Sequence, residues 1–190
     1  MHSALCCAVT MLLAGVILAA PADAGQRHHH HESDSTGFAL GKFGGPEGWT
    51  TYVDPDTGTT VDYPANDFSA KDDKPDQNSG VIFRTPDQSA KLAVYFLPND
   101  SHETPHSYVK HHLKIDRSHL SYDRVTRKFF AISGKHGDST FYSRCNFAPE
   151  SGNMHCVYLE YPERDEKAWD GIVTRISRSL TVPRIKGEGR

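Results

Sequence analysis

The chain has 190 residues and a formal net charge of -3, and 37% of its residues are hydrophobic. These values favour one globular domain of ordinary aqueous solubility. Nucleic acids and anionic membranes attract proteins with a clear excess of Lys and Arg, which this chain lacks. We therefore expect no nucleic-acid partner.

The first 24 residues have the pattern of a secretory signal peptide. Residues 4–20 are an apolar run, and residues 21–24 end in an A-x-A cleavage signature. We expect cleavage before Gly25 and export to the periplasm or the extracellular space, with no integral membrane segment after cleavage. The start of the chain carries little positive charge, so retention of the leader as an anchor stays open, although about 17 residues is short for a span.

Residues 25–48 are predicted to form a flexible arm, because they show no apolar periodicity that would stabilise an ordered structure. The arm contains a run of histidines: His28, His29, His30 and His31. Imidazole binds Zn²⁺, Ni²⁺ and Cu²⁺, so the run is a candidate metal site, although a flexible segment fixes no coordination geometry. The alternative is a solvated polar arm in a protein without a cofactor.

The folded domain is predicted to span residues 49–183, with a tail over residues 184–190. Four runs of strand-forming residues predict two hairpins at its start: residues 49–53 with 59–63, and residues 80–85 with 91–97. Residues 65–79, between the two hairpins, are charged and are predicted to form a loop. Thr104 and Pro105 then have the pattern of a helix start, and apolar spacing as far as Ile115 predicts about three turns.

The second half of the domain is predicted to contain four strands and a helix. The strands are expected at residues 121–127, 129–133, 140–145 and 156–161. The helix carries one apolar stripe, formed by Trp169, Ile172, Val173, Ile176 and Leu180. Consecutive strands with only two helices predict an α+β domain with a mostly antiparallel sheet and two packed helices, because a parallel sheet would require alternating strands and helices.

Cys145 and Cys156 are the cysteines that follow the leader. A hairpin that turns at residues 150–151 would bring them face to face, and an even pair in an oxidising compartment is most simply a disulfide. A reactive thiol or metal pair is the alternative, but neither cysteine lies in a C-x-x-C motif. The sequence thus predicts a disulfide-linked hairpin covered by a helix.

The domain resembles the PsbP-like family, that of the photosystem II extrinsic protein, and small exported bacterial proteins with such a domain. The motifs that carry the resemblance are Gly58-Thr-Thr-Val-Asp-Tyr63-Pro64 followed by Phe68, and Ile176-Ser-Arg-Ser179-Leu180-Thr-Val-Pro183. The resemblance would cover residues 49–183 and implies an α/β/α sandwich. Photosynthetic members assist a membrane complex and others bind unrelated partners, so the resemblance implies an accessory role and supplies no catalytic residues.

The sequence contains two partial catalytic or metal-binding patterns, and neither is complete. Gly137-Asp138-Ser139 is similar to the nucleophile block of GDS hydrolases, but no Asp-x-x-His follows it. The histidines around the first helix, namely His102, His106, His111, His112 and His119, lack an i, i+4 pair within that helix, so surface and structural roles are expected.

The leading hypothesis is an exported non-catalytic domain that binds a protein partner or envelope component. Candidate contact surfaces are residues 65–79 and the helix face with His106, Lys110 and His111. A periplasmic metal-binding protein acting through the arm is the alternative, and an unrecognised hydrolase is the third.

Overall fold

The computed structural model describes residues 48–71, 80–113 and 115–183. The strands and helices are β1 (Trp49–Val53), β2 (Thr60–Pro64), β3 (Ser69–Lys71), β4 (Gly80–Arg84), β5 (Lys91–Leu97), α1 (Pro105–His111), β6 (Leu120–Val125), β7 (Phe129–His136), β8 (Ser139–Phe147), β9 (Met154–Pro162) and α2 (Glu166–Ser179). The histidine run of the arm and the predicted tail lie outside the described residues.

Seven of the strands form one sheet, in the order β3-β4-β5-β9-β8-β7-β6, while β1 and β2 pair with each other in a separate hairpin. All these pairings are antiparallel. The prediction of an α+β domain with an antiparallel sheet and two packed helices is therefore confirmed. No helix in the described ranges is long and apolar enough to cross a membrane.

Alternation along β9 separates two cores on opposite faces of the sheet. Val157 and Leu159 belong to the larger core, whereas Met154 and Cys156 belong to the smaller one. Successive side chains of a strand point to opposite faces, so the two cores cannot share a face. The result is a sandwich of helix, sheet and helix.

Helix α2 and the β1–β2 hairpin cover the face with the larger core. The predicted apolar stripe of α2 is buried along its whole length, from Trp169 to Leu180. Tyr63 of β2 packs on Phe83 of β4, with a ring-centroid distance of 4.3 Å. The helix-period stripe thus predicted both the helix and the face that it buries.

Helix α1 covers part of the opposite face. Thr104 caps it as predicted, since its Oγ1 accepts a hydrogen bond from the Ser107 N–H at 3.2 Å. Tyr108 stacks on Phe130 of β7, with ring centroids 5.8 Å apart. The helix ends at His111 and is therefore shorter than the predicted three turns.

Local patterns were wrong at two places in the first half of the domain. The apolar spacing that predicted a longer α1 includes Leu113 and Ile115, which lie beyond the end of the helix. Leu113 packs on the smaller core from a non-helical segment, and Ile115 is 36% exposed. The predicted loop of residues 65–79 contains β3, which pairs with β4 from Ser69 opposite Arg84. Its three residues carry no strand signal of their own, so the pairing with β4 determines this strand.

The predicted hairpin with the two cysteines is confirmed. Cys145 lies directly opposite Cys156 in the register of β8 and β9, and a disulfide joins the two residues beneath α1. Gly152 in the turn has a φ of 72°. Glycine adopts this left-handed conformation without steric cost, which allows the tight return of the chain.

Candidate binding groove

A groove of about 510 Å³ lies between α2 and the β6–β7 edge of the sheet. Helix α2 packs mainly on β2, β8 and β9. The mid-strand residues of β7 that face the groove are Ala131 and Ser133, whose side chains are too small to fill the space beside the helix. This volume is within the range of about 300–1,000 Å³ that is typical of ligand sites.

Two Tyr-x-Arg segments flank these small residues: Tyr122 with Arg124 on β6, and Tyr142 with Arg144 on β8. The strand register places Ser133 between the two tyrosines and Ala131 between the two arginines. Residues paired across antiparallel strands point to the same face, so the tyrosines and arginines line the groove from both sides.

Arg144 is the best positioned cation of the groove. Its Nε donates a hydrogen bond to Asn146 Oδ1 at 2.9 Å, and its Nη1 donates to Ser177 Oγ at 3.3 Å. Its guanidinium lies 4.2 Å from the centroid of the Phe129 ring, and that of Arg124 lies 5.6 Å from the same centroid. Arg144 is half-buried, and among the described residues no carboxylate forms an ion pair with it.

The charges of the groove are segregated along α2. Glu166 and Asp170 lie in the N-terminal half of the helix, whereas Arg178 lies in its last turn, one residue from the partner of Arg144. Lys135 pairs with Glu163 just before the helix, at the acidic end. The groove therefore has an anionic end and a cationic end, and the arginines gather at the cationic end.

Three hydroxyl groups of the groove, those of Ser133, Tyr142 and Ser177, are engaged with protein atoms. A hydrogen bond of 2.6 Å joins Tyr142 OH and Ser177 Oγ, and Ser133 Oγ donates to the Phe141 carbonyl oxygen at 2.7 Å. Burial raises the pKa of Tyr142, so this phenol stays protonated. The described residues that line the groove include neither histidine nor cysteine. The arrangement offers cations, fixed hydroxyls and aromatic surface, which are groups suited to recognition.

The sequence did not point to this groove. The candidate contact surface on α1, with His106, Lys110 and His111, lies on the opposite face of the sheet, and residues 72–79 of the other candidate lie outside the described residues. The repeated Tyr-x-Arg pattern was the available signal. The two segments form one site only because β6 and β8, which carry them, pair with opposite edges of β7.

The histidines of α1 surround one carboxylate. Glu103 accepts hydrogen bonds from Ser107 Oγ at 2.6 Å and from His112 Nε2, and His111 Nδ1 lies 3.3 Å from it. These hydrogen bonds, that of Ser107 foremost, lower the pKa of Glu103 to about 2. The described ranges contain no group of three or more His, Cys, Asp or Glu residues arranged to hold a metal ion.

His155 is buried where the β1–β2 turn meets the sheet. A hydrogen bond of 2.6 Å joins its Nδ1 to Thr59 Oγ1, and Thr57 Oγ1 links Thr59 to Asp54 through contacts of 2.7 Å each. Burial lowers the pKa of His155, although the charge of Asp54 opposes this effect. The network attaches the turn to β9, and the 4% exposure of His155 makes it a structural group.

Comparison with known proteins supports the fold that the motifs implied. No protein-family model matches the chain, and no curated protein matches its sequence. The structure is similar to the solution structure of cyanobacterial PsbP (CyanoP) from Synechocystis sp. PCC 6803, with a TM-score of 0.56 and 14% identity over 74% of this chain and 96% of that chain. The protein is an α+β sandwich, and its fold is PsbP-like.

A second match is more distant. A crystal structure from Bacteroides thetaiotaomicron VPI-5482 has a TM-score of 0.41 and 12% identity, over 70% of this chain and 47% of that chain. It adds nothing to the assignment. A fold accommodates many functions, so the function must be argued from the groove itself.

Proposed function

We propose that the protein is an exported, non-catalytic accessory domain that binds a protein partner through the groove between α2 and the β6–β7 edge. The observation that carries this proposal is Arg144, a half-buried cation held by Asn146 and Ser177 with no carboxylate beside it among the described residues. A charge that is partly withdrawn from water without a counter-ion is costly, which favours a site where a bound partner supplies the missing charge.

Two observations support export. The first 24 residues have the leader pattern, and the disulfide between Cys145 and Cys156 is of the kind that persists in oxidising compartments. Mass spectrometry of protein recovered from the native host should find an N-terminus at Gly25 and no free thiol. A retained leader or two alkylated cysteines in the native sample would contradict this part of the proposal.

Binding through the groove can be tested by site-specific photocrosslinking in the native cell envelope. A photoreactive residue at Thr174, which is exposed and lines the groove, should capture a partner. The same photoreactive group placed at position Glu150, which is exposed in the β8–β9 turn, should capture no partner. Arg144→Gln should reduce the Thr174 adduct, and adducts that are absent or equal at both positions would refute the proposal.

A further inference from the structure

We propose that the segment recognised by the groove is acidic, with an Asp or Glu carboxylate of the partner bound between Arg124 and Arg144 beside the ring of Phe129. This inference rests on the proposed function, because it names the chemistry of the partner at the same site. It is argued from the donors that remain on Arg144, from the charge pattern of the groove and from its open edge.

The guanidinium of Arg144 retains donors for a ligand. A guanidinium has five N–H groups in a planar fork. Asn146 and Ser177, which are neutral, accept from Nε and Nη1, and Tyr142 is a third neutral hydrogen-bonding neighbour, so not all five donors are used. The guanidinium also lies over the ring of Phe129, a cation–π contact that uses none of its N–H groups in a conventional hydrogen bond. A carboxylate matches this geometry, because it accepts two parallel hydrogen bonds from one guanidinium.

A second arginine faces the same position. Arg124 is exposed on β6, and its guanidinium lies near the same ring of Phe129. Arg178, also exposed, adds a third positive charge from the last turn of α2. Two cations over one aromatic ring, a third cation on the neighbouring helix and two bound hydroxyls give an environment in which an anionic side chain is favoured over a neutral one.

The two carboxylates of the groove limit what can bind. Glu166 and Asp170 would repel a second acidic group at their end, so the favoured ligand carries its acid at the arginine end and neutral or basic residues beyond it. The arginines also lie beside the C-terminal half of α2, whose dipole disfavours a compact, doubly charged anion. These features favour a singly charged carboxylate within a peptide over inorganic phosphate.

The open side of the groove admits an extended chain. Strand β6 is last in the sheet order and pairs only with β7 among the described strands. Residues 121–124 of this strand are exposed, and the side chain of Tyr122 stands at the rim with 43% exposure. A peptide can therefore pass over β6 and insert one side chain toward Arg144 without any movement of α2.

The test is selection of ligands from a library of random 12-residue peptides displayed on phage. The wild-type domain should enrich peptides with one Asp or Glu, and replacement of that residue by Asn or Gln in a synthetic peptide should weaken binding about tenfold or more. The variants Arg144→Gln and Arg124→Gln should abolish the enrichment. Arg164→Gln, which removes an exposed arginine outside the groove, is the matched control and should preserve it.

Several results would overturn the inference. These are failure to select any peptide, selection without acidic residues, equal selection by Arg124→Gln, or displacement of the peptide by inorganic phosphate at the peptide's own concentration. Arg124 is exposed, so its variant keeps the test valid if Arg144→Gln fails to fold. If a partner crosslinks at Thr174 and the segment of that partner in the groove carries no acidic residue, this inference is wrong and the proposed function still holds.

Discussion

Reduction of the disulfide between Cys145 and Cys156 should lower the free energy of unfolding by about 3 kcal/mol. The two cysteines are 11 residues apart in sequence. A cross-link that closes a loop of this size removes about 9 cal/mol/K of entropy from the unfolded chain, which is about 3 kcal/mol at room temperature. The effect acts on the unfolded state, because the ladder of β8 and β9 already holds the two residues opposite each other.

The assay is urea unfolding of the chain from residue 25 onward, followed by tryptophan fluorescence, which reports on the buried Trp169 and the partly buried Trp49. With an m value of about 1.5 kcal/mol/M, the midpoint should fall by about 2 M after reduction. A variant with Cys145→Ala and Cys156→Ala should have an unfolding midpoint near that of the reduced protein, and added reductant should not change it. Oxidised and reduced proteins that differ by less than about 1 kcal/mol would refute the loop-entropy argument.

Three other predictions concern stability and metal binding. As the pH falls below about 6.5, the ordinary pKa of histidine, the protein should lose stability, because burial lowers the pKa of His155 and the unfolded chain binds a proton that the folded chain does not. His155→Gln should flatten this dependence in urea unfolding, and an unchanged slope would exclude His155 as its source. Ile176→Ala should cost about 2–5 kcal/mol, since Ile176 lies on the apolar stripe of α2 and is fully buried, whereas Ile115→Ala at a 36% exposed position should cost far less. Equal shifts of the unfolding midpoint would contradict this packing. Calorimetric titration with Zn²⁺, Ni²⁺ and Cu²⁺ should show binding that disappears when residues 25–46, with the histidine run, are deleted; binding that survives the deletion would remove the arm as the metal site.

The sequence by itself determined the elements whose signals are local. Alternating residues predicted most strands, the spacing from Trp169 to Leu180 predicted α2, and turn residues predicted the hairpin that joins Cys145 to Cys156. Each of these patterns is read over a short stretch, because the periods of a strand and a helix and the chemistry of a turn are properties of neighbouring residues.

The tertiary structure alone decided the features that depend on distant parts of the chain. Strand β3 forms because it pairs with the edge of β4, and the hydrogen bond between His155 and Thr59 joins residues that are 96 positions apart in sequence. The groove requires β7 to bring Arg124 and Arg144 to either side of Ala131, while α2 packs mainly on β2, β8 and β9. Register and helix placement arise from packing between distant segments, so the site that best supports a function became visible only in the folded protein.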